Sequence, residues 1–276
     1  MKISIKKIAK ALIANITTIF ISLIVLLPLV VLLLNSFKTK GESTKMSLSL
    51  PTTWQFENYT TVIEEGKLIS SFFNSLLYSF SSVLIIVIVV AAAAFVIARN
   101  RRGLNNIIYY FIISGIAIPI NNVALMKVMQ ALSLNNTRIG VILIYAAINI
   151  PLSLFLCYGF ISTIPREIDE AAVIDGCGPI KLFVKIILPL LKPVISTLFV
   201  LNFMAVWNDF QMPLYYLNNS KKWPMTLAVY NFFGTYENSW HLVSADIILT
   251  LLPVLIVFIL GQKYIVGGVS SGAVKG

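Results

Sequence analysis

The 276-residue chain is 58% hydrophobic and only 12% charged, with 21 Lys and Arg against 11 Asp and Glu and a formal net charge of +10. Soluble domains carry about a quarter of their residues charged, so a large water-soluble core is excluded. The basic residues lie between apolar runs and not in one block, which excludes a nucleic-acid arm and fits membrane topology.

An all-α, polytopic membrane protein of six transmembrane helices is expected. Lys2, Lys6, Lys7 and Lys10 precede an apolar run from about residue 11 to 37. That run is too long for a signal peptide and lacks a small-residue cleavage site, so it reads as a first span, kinked at Pro28. Residues 38–70 are too polar to span. Trp54, Phe56 and Tyr59 fit a segment along the outer interface, and an ordinary loop fits as well. The second span covers about 71–98 and carries Ala91 to Ala94 and Ala98, small residues that let membrane helices approach. Arg99, Arg101 and Arg102 end it. The third, about 107–132, is broken at Pro119 and followed by Asn121 and Asn122. Polar residues beside such a break line a cavity or satisfy freed backbone groups. Lys127 near its far end reads as snorkelling. The fourth span covers about 139–161, with a further break at Asn149 to Pro151. The fifth covers about 190–210 and the sixth about 244–266. The domains follow: 1–70, a core of 71–266 containing a loop at 162–190, and a polar tail at 267–276.

With the N-terminus inside, 13 of the 21 Lys and Arg residues fall in inner segments and 7 in outer ones, Lys127 being the other. The bias places both termini and the 162–190 loop in the cytoplasm.

Acids, bases, glycines and prolines crowd together only in Ile164 to Pro193, IPREIDEAAVIDGCGPIKLFVKIILPLLKP. Pro165 suits a first helical turn. Glu167 and Asp169 favour the positive end of a helix dipole. Gly176 suits a helix stop, and Pro179 opens a second helix. There Lys181 and Lys185 share a face opposite Leu182, Phe183, Ile186 and Ile187. The pair reads as an elbow at a membrane surface, offering charge to a soluble partner.

No G-x-x-x-x-G-K-[ST] or H-E-x-x-H occurs, so no catalysis is expected within the chain. Cys157 and Cys177 make no disulfide framework. His241 has no companions at ligand spacing, so no metal site is expected. The spans hold almost no acids, Asp209 and Asp246 lying near outer ends, which argues against an ion-coupled carrier. A channel would leave the elbow unexplained.

The order Glu170-Ala171-Ala172, Asp175-Gly176, Ile187-x-Pro189 and Pro193 resembles the EAA loop of ABC-importer permeases, with Cys177 where the family has Ala. Trp207-Asn208-Asp209-Phe210, Pro224-Met225-Thr226-Leu227 and the closing Gly272 to Gly276 resemble the smaller permease of the maltose-type, carbohydrate-importing branch. The resemblance implies a type I importer permease in a bacterial plasma (inner) membrane. Its cytoplasmic coupling-helix pair would meet the ATPase through Glu170, Ala171, Ala172, Asp175, Gly176 and Pro189. It implies a second permease as heterodimer partner, two ATPase subunits that bind ATP and Mg, and an extracellular solute-binding protein delivering a sugar. It assigns no cofactor to this chain and no nucleic acid, lipid being the remaining partner. Asn218, Asn219 and Ser220 would tip a loop reaching the binding protein, and the tail, with Gly272, Lys275 and Gly276, would thread between the ATPase subunits. Trp207, Asn208, Asp209, Asn121 and Asn122 offer an aromatic face and polar groups to a sugar, or else serve as interfacial anchor and backbone partners. A polyol or glycerol-phosphate solute is the alternative within the family.

Overall fold

A computed structural model describes residues 5–100, 103–233 and 238–273, side chains excepted before residue 12 and after residue 263. In chain order its α-helices are α1 (Ile5–Ser36), α2 (Lys40–Ser43), α3 (Glu57–Glu64), α4 (Leu68–Arg99), α5 (Gly103–Ser114), α6 (Asn122–Ala131), α7 (Arg138–Ile161), α8 (Glu167–Ile174), α9 (Pro179–Leu182), α10 (Leu188–Leu190), α11 (Lys192–Asn208), α12 (Gln211–Tyr216), α13 (Met225–Ala228) and α14 (Trp240–Ala273). Among the described residues four stretches are long and apolar enough to cross a membrane: 12–36, 68–99, 138–161 and 240–263. The bent pair 179–190 and 192–208, at 71°, makes a fifth.

The expected third span is two helices, α5 and α6, separated by residues 115–121. Twelve and ten residues reach about 18 and 15 Å at 1.5 Å per residue, each short of a hydrocarbon core of about 30 Å. Asn121 at the break caps α6, its Oδ1 accepting the N–H groups of Val123 (3.1 Å) and Ala124 (3.0 Å). The expected break in the fourth span is absent, and α7 runs through Pro151. Gly115 lies beside that ring: a Cβ there would stand 3.1 Å from Pro151 Cγ.

The chain divides into two compact units, 1–69 with 228–251 and 70–227 with 252–276. In the first, residues 12–28 of α1 are exposed throughout. Beyond α1, the ring of Phe37 gathers those of Trp54 (5.3 Å), Phe56 (5.2 Å) and Tyr59 (5.1 Å). The aromatics expected at an interface therefore close the end of α1. Asn58 donates to the carbonyls of Ser36 (2.8 Å) and Lys38 (3.0 Å). Thr39 and Glu42 form a capping box on α2. Hydrogen bonds from Thr52, then Thr39, hold the Glu42 carboxyl down at about 2.

In the second unit α4 passes two clusters. Near its start Tyr78 joins Val141, Ile144, Tyr145, Met212 and Tyr216. Further along, Ile86, Val90, Ala91, Ala94 and Ile97 pack with Leu154, Cys157 and Ile161 of α7 and with Leu182, Ile187, Leu191 and Leu198. Between α7 and α11 the buried Asn202 donates to Ser153 Oγ (3.0 Å) and the Leu198 carbonyl (2.7 Å). Gly261 lies against Val200, whose Cγ2 would be 2.6 Å from an added Cβ.

Candidate functional site

The elbow begins with α8, whose first turn holds Glu167, Asp169 and Glu170. Its end is a Schellman motif: Gly176 N–H donates to the Val173 carbonyl (3.0 Å) and Cys177 N–H to the Ala172 carbonyl (2.9 Å). Gly176 has φ +77°, the left-handed conformation that motif requires. An added Cβ would meet no atom within 4 Å. Within this chain the glycine thus serves backbone conformation. Ala172 and Cys177, the two ends of the 6→1 bond, both pack on the α4–α7 cluster.

Pro179 is the first residue of α9. After it the chain winds as a π-helix over Phe183–Ile187, Leu188 N–H bonding the Phe183 carbonyl. Pro189 has no N–H to give the carbonyl four residues back, and its ring needs space there. The wider turn lies immediately before it. The bend between α10 and α11 follows at Leu191.

Of the elbow residues, Glu170, Ala171, Asp175, Gly176 and Pro189 are exposed, while Ala172 is buried in this chain's own core. Val173, Ile174 and Ile180 are also exposed, Ile174 at 85%. Lys181 and Lys185 are exposed as expected.

Asp169 does something the sequence did not show. Arg99, the last residue of α4, reaches its carboxylate, with Nε 2.6 Å from Oδ2. The Nε proton is poorly aimed along that contact, so it is an ion pair. The directed hydrogen bond is Nη2 to Oδ1 at 3.2 Å. Arg99 Nη1 also donates to the Ile164 carbonyl (3.1 Å), and Arg166 Nη2 returns a bond to the Ala98 carbonyl (3.3 Å). Two arginines therefore clasp the end of α4 to the start of α8. Both partners of the pair are largely buried, at 13% and 16% exposed. By sequence Arg99 is a stop to an apolar run. Its signal was a cation one residue past an apolar run, with an acid in the first turn of a polar helix.

The segment after α12 is pinned to α4 in the same manner. Asn74 Nδ2 donates to the carbonyls of Lys221 (3.0 Å) and Trp223 (3.1 Å), and Tyr78 Oη to that of Lys222 (2.7 Å). Ser75 Oγ accepts Met225 N–H (2.9 Å). Arg138 Nε steadies Asn74 through its Oδ1 (3.2 Å). Lys222 Nζ bonds the Asn136 carbonyl. Asn218 and Asn219 remain exposed and Ser220 half-buried. An Asn and a Tyr four apart in an apolar run were the available signal.

The residues offered for a solute path are dispersed in role. Trp207 is buried, stacked on Phe203 (5.5 Å) and edge-on to Phe72 (5.9 Å). Asp209 Oδ2 accepts Tyr145 Oη (2.9 Å) and Met212 N–H (3.0 Å). Asn208 and Asn121 are exposed. The carbonyl of Asn122 accepts Tyr216 Oη (3.0 Å), while its Oδ1 is buried without a hydrogen-bond partner among the described residues. In the tail, Gly272 continues the backbone of α14, and Lys275 and Gly276 lie outside the described residues. No group of three metal-ligating side chains occurs among the described residues.

Residues 91–271 match the family described as the binding-protein-dependent transport system inner membrane component. The melibiose/raffinose/stachyose import permease protein MelC of Bacillus subtilis (strain 168) is 35% identical over 253 residues, 91% of this chain and 91% of that protein. The probable starch degradation products transport system permease protein AmyC of Thermoanaerobacterium thermosulfurigenes is 36% identical over 258 residues, 93% of this chain and 94% of that one. Among solved structures, a chain of a bacterial ABC transporter involved in the import of the acidic polysaccharide alginate superposes with a TM-score of 0.83. It is 20% identical and covers 96% of this chain and 99% of that one. That likeness carries the fold.

Proposed function

The chain belongs to the family of inner-membrane components of binding-protein-dependent transport systems, and from that premise we propose that it is a multi-pass permease subunit of an ATP-driven importer of a sugar or oligosaccharide. The observation that carries this is near-full-length similarity to relatives named as sugar permeases, together with an elbow on which Glu167, Glu170 and Asp175 and the apolar tip are exposed. A second permease completes the path, two ATPase subunits bind ATP and Mg, and an extracellular binding protein delivers the solute. The chain is a membrane component without an ATP-binding loop, so hydrolysis belongs to the partners.

In this reading α8 docks on the ATPase through Glu170, Ala171 and Asp175, with Val173 and Ile174 as its apolar tip. Gly176 shapes the turn, and Ala172 holds the helix to its own chain. Six spans, with α5 and α6 forming one broken span, put both termini and the elbow in the cytoplasm. Asn218, Asn219 and Ser220 then face the binding protein, and the tail meets the ATPase subunits. Asn208 and Asn122 are the polar groups left to meet solute.

One feature favours a different driving force. Asp246 in α14 is 1% exposed, and its Oδ2 has no hydrogen-bond partner among the described residues. Buried membrane acids serve ion coupling in carriers. The test is reconstitution of the chain with its co-encoded permease, ATPase and binding protein in liposomes, with uptake of raffinose and maltotriose followed. Uptake that needs internal ATP is expected. Uptake driven by a proton or sodium gradient without ATP would overturn the reading.

A further inference from the structure

Of the four helices long and apolar enough to span, α4 alone contains neither proline nor glycine. Its 32 residues extend about 48 Å at 1.5 Å per residue, without the breaks that let a helix absorb a push by bending. Each end grips a different element through polar side chains. At one end Asn74 and Tyr78 hold three successive carbonyls, those of Lys221, Lys222 and Trp223, and Ser75 holds Met225 N–H. At the other, Arg99 holds Asp169 and the Ile164 carbonyl, and Arg166 holds Ala98 in return. The first element carries the residues assigned above to the binding protein. The second carries those assigned to the ATPase.

We propose that α4 is the transmission rod of the permease: a displacement of the 217–225 segment is delivered along it to Arg99, and through Arg99 to α8. The inference rests on the proposed function for the identity of the two partners. The grips suit the task because they seize backbone. A carbonyl bonded to Asn74 moves with α4 whatever side chain the loop presents at its surface. The Arg99 fork fixes the direction of α8 as well as its distance, since a planar guanidinium bonds carboxylate and carbonyl in set directions. Arg99 and Asn74 are positioning residues, acting through the elements they hold.

Two grips in series have a signature that two separate stabilising contacts lack. Breaking either disconnects the rod, so breaking both does no further harm, whereas independent contacts multiply their losses. The experiment uses the whole complex in proteoliposomes. ATPase rate is read with and without the co-encoded binding protein loaded with raffinose or maltotriose, whichever protects it from thermal unfolding. Asn74→Ala with Tyr78→Phe, and separately Arg99→Gln, should each lower the stimulation about tenfold, within the range of ordinary coupling energies. The combined variant should be no worse than the weaker of the two. ATPase subunit recovered per permease should match wild type in all. Arg99→Asp with Asp169→Arg should restore part of the stimulation, since the ion pair returns while the bond to the Ile164 carbonyl does not; a merely destabilised fold would recover none. If Arg99→Gln fails to assemble, Arg99→Lys keeps the charge and loses the fork, and a partial loss of stimulation is expected from it. Stimulation within about twofold of wild type at both ends, or a combined loss equal to the product of the separate ones, would overturn the rod. If wild type itself is not stimulated by the loaded protein, the proposed function falls instead.

Discussion

Gly176 offers a clean perturbation because its surroundings are empty while its backbone is constrained. An added Cβ there meets no described atom within 4 Å, so a methyl group brings no clash within this chain. What remains is φ +77°. Holding a non-glycine residue in the left-handed region costs roughly 1–2 kcal/mol, Asn being the tolerant exception and β-branched residues the worst. Leaving that region instead forfeits the bonds from Gly176 to Val173 and from Cys177 to Ala172, each about 1 kcal/mol net. Gly176→Asn should therefore be mild. Gly176→Ala should open the turn about tenfold more often, since 1.4 kcal/mol is a factor of ten, and Gly176→Val more still. The thiol of Cys177, half-buried against the core, reports the opening without any partner present. Its labelling rate by a maleimide, with Cys157 replaced by Ser, should rise in the order Gly, Asn, Ala, Val. ATPase recovery per permease and sugar uptake should fall in the same order. Equal damage from Asn and Val would refute the reasoning, because it would mean that side-chain volume against a partner, and not φ, sets the need for glycine.

Glu170→Ala should leave the permease inserted but weaken ATPase attachment by a lost charged hydrogen bond, about 1.5–3 kcal/mol, read as subunit recovered on purification. Single cysteines at Asn219 and Gly103, in a background without Cys157 and Cys177, should label from outside intact cells at 219 and not at 103. The opposite pattern would invert the topology. Removing residues 273–276 should lower coupled ATP hydrolysis without preventing insertion, and a wild-type rate would assign the end no role. The carboxyl of Glu42 is depressed in the fold to about 2 from 4.5. Its stabilisation is therefore complete above pH 4.5 and lost as pH falls toward 2. The advantage of wild type over Glu42→Gln in resisting proteolysis at Lys45 should shrink across that window, and a constant difference would refute the linkage.

What the sequence displayed was decided by how local the cause was. Apolar runs long enough to span are local, and α1, α4, α7 and α14 fall close to where the runs do. So is the end of α8, because a Schellman turn needs its glycine within the same six residues. The bond between Arg99 and Asp169 joins residues 70 apart, and charge alone does not say which acid an arginine will meet. Pro151 misled because a proline breaks a helix only when nothing else holds it. Here the helix passes through, with Gly115 giving the ring space. The winding of 183–187 left a faint mark. Leu182 and Ile187 are buried with no buried residue between them, and that interval of five is one residue too long for an α-helix.

The bareness of α1 has a meaning in time. Its residues 12–28 are exposed throughout, so the medium around them satisfies their apolar side chains. It precedes α4 and α7, and at the ribosome it emerges before either exists. A helix that needed their contacts would have to wait, exposed, for most of the chain to be made. This one is complete on entering the bilayer, as the first stage of membrane folding requires. The two clusters along α4 can then form later, among segments that arrive together, without undoing anything already settled.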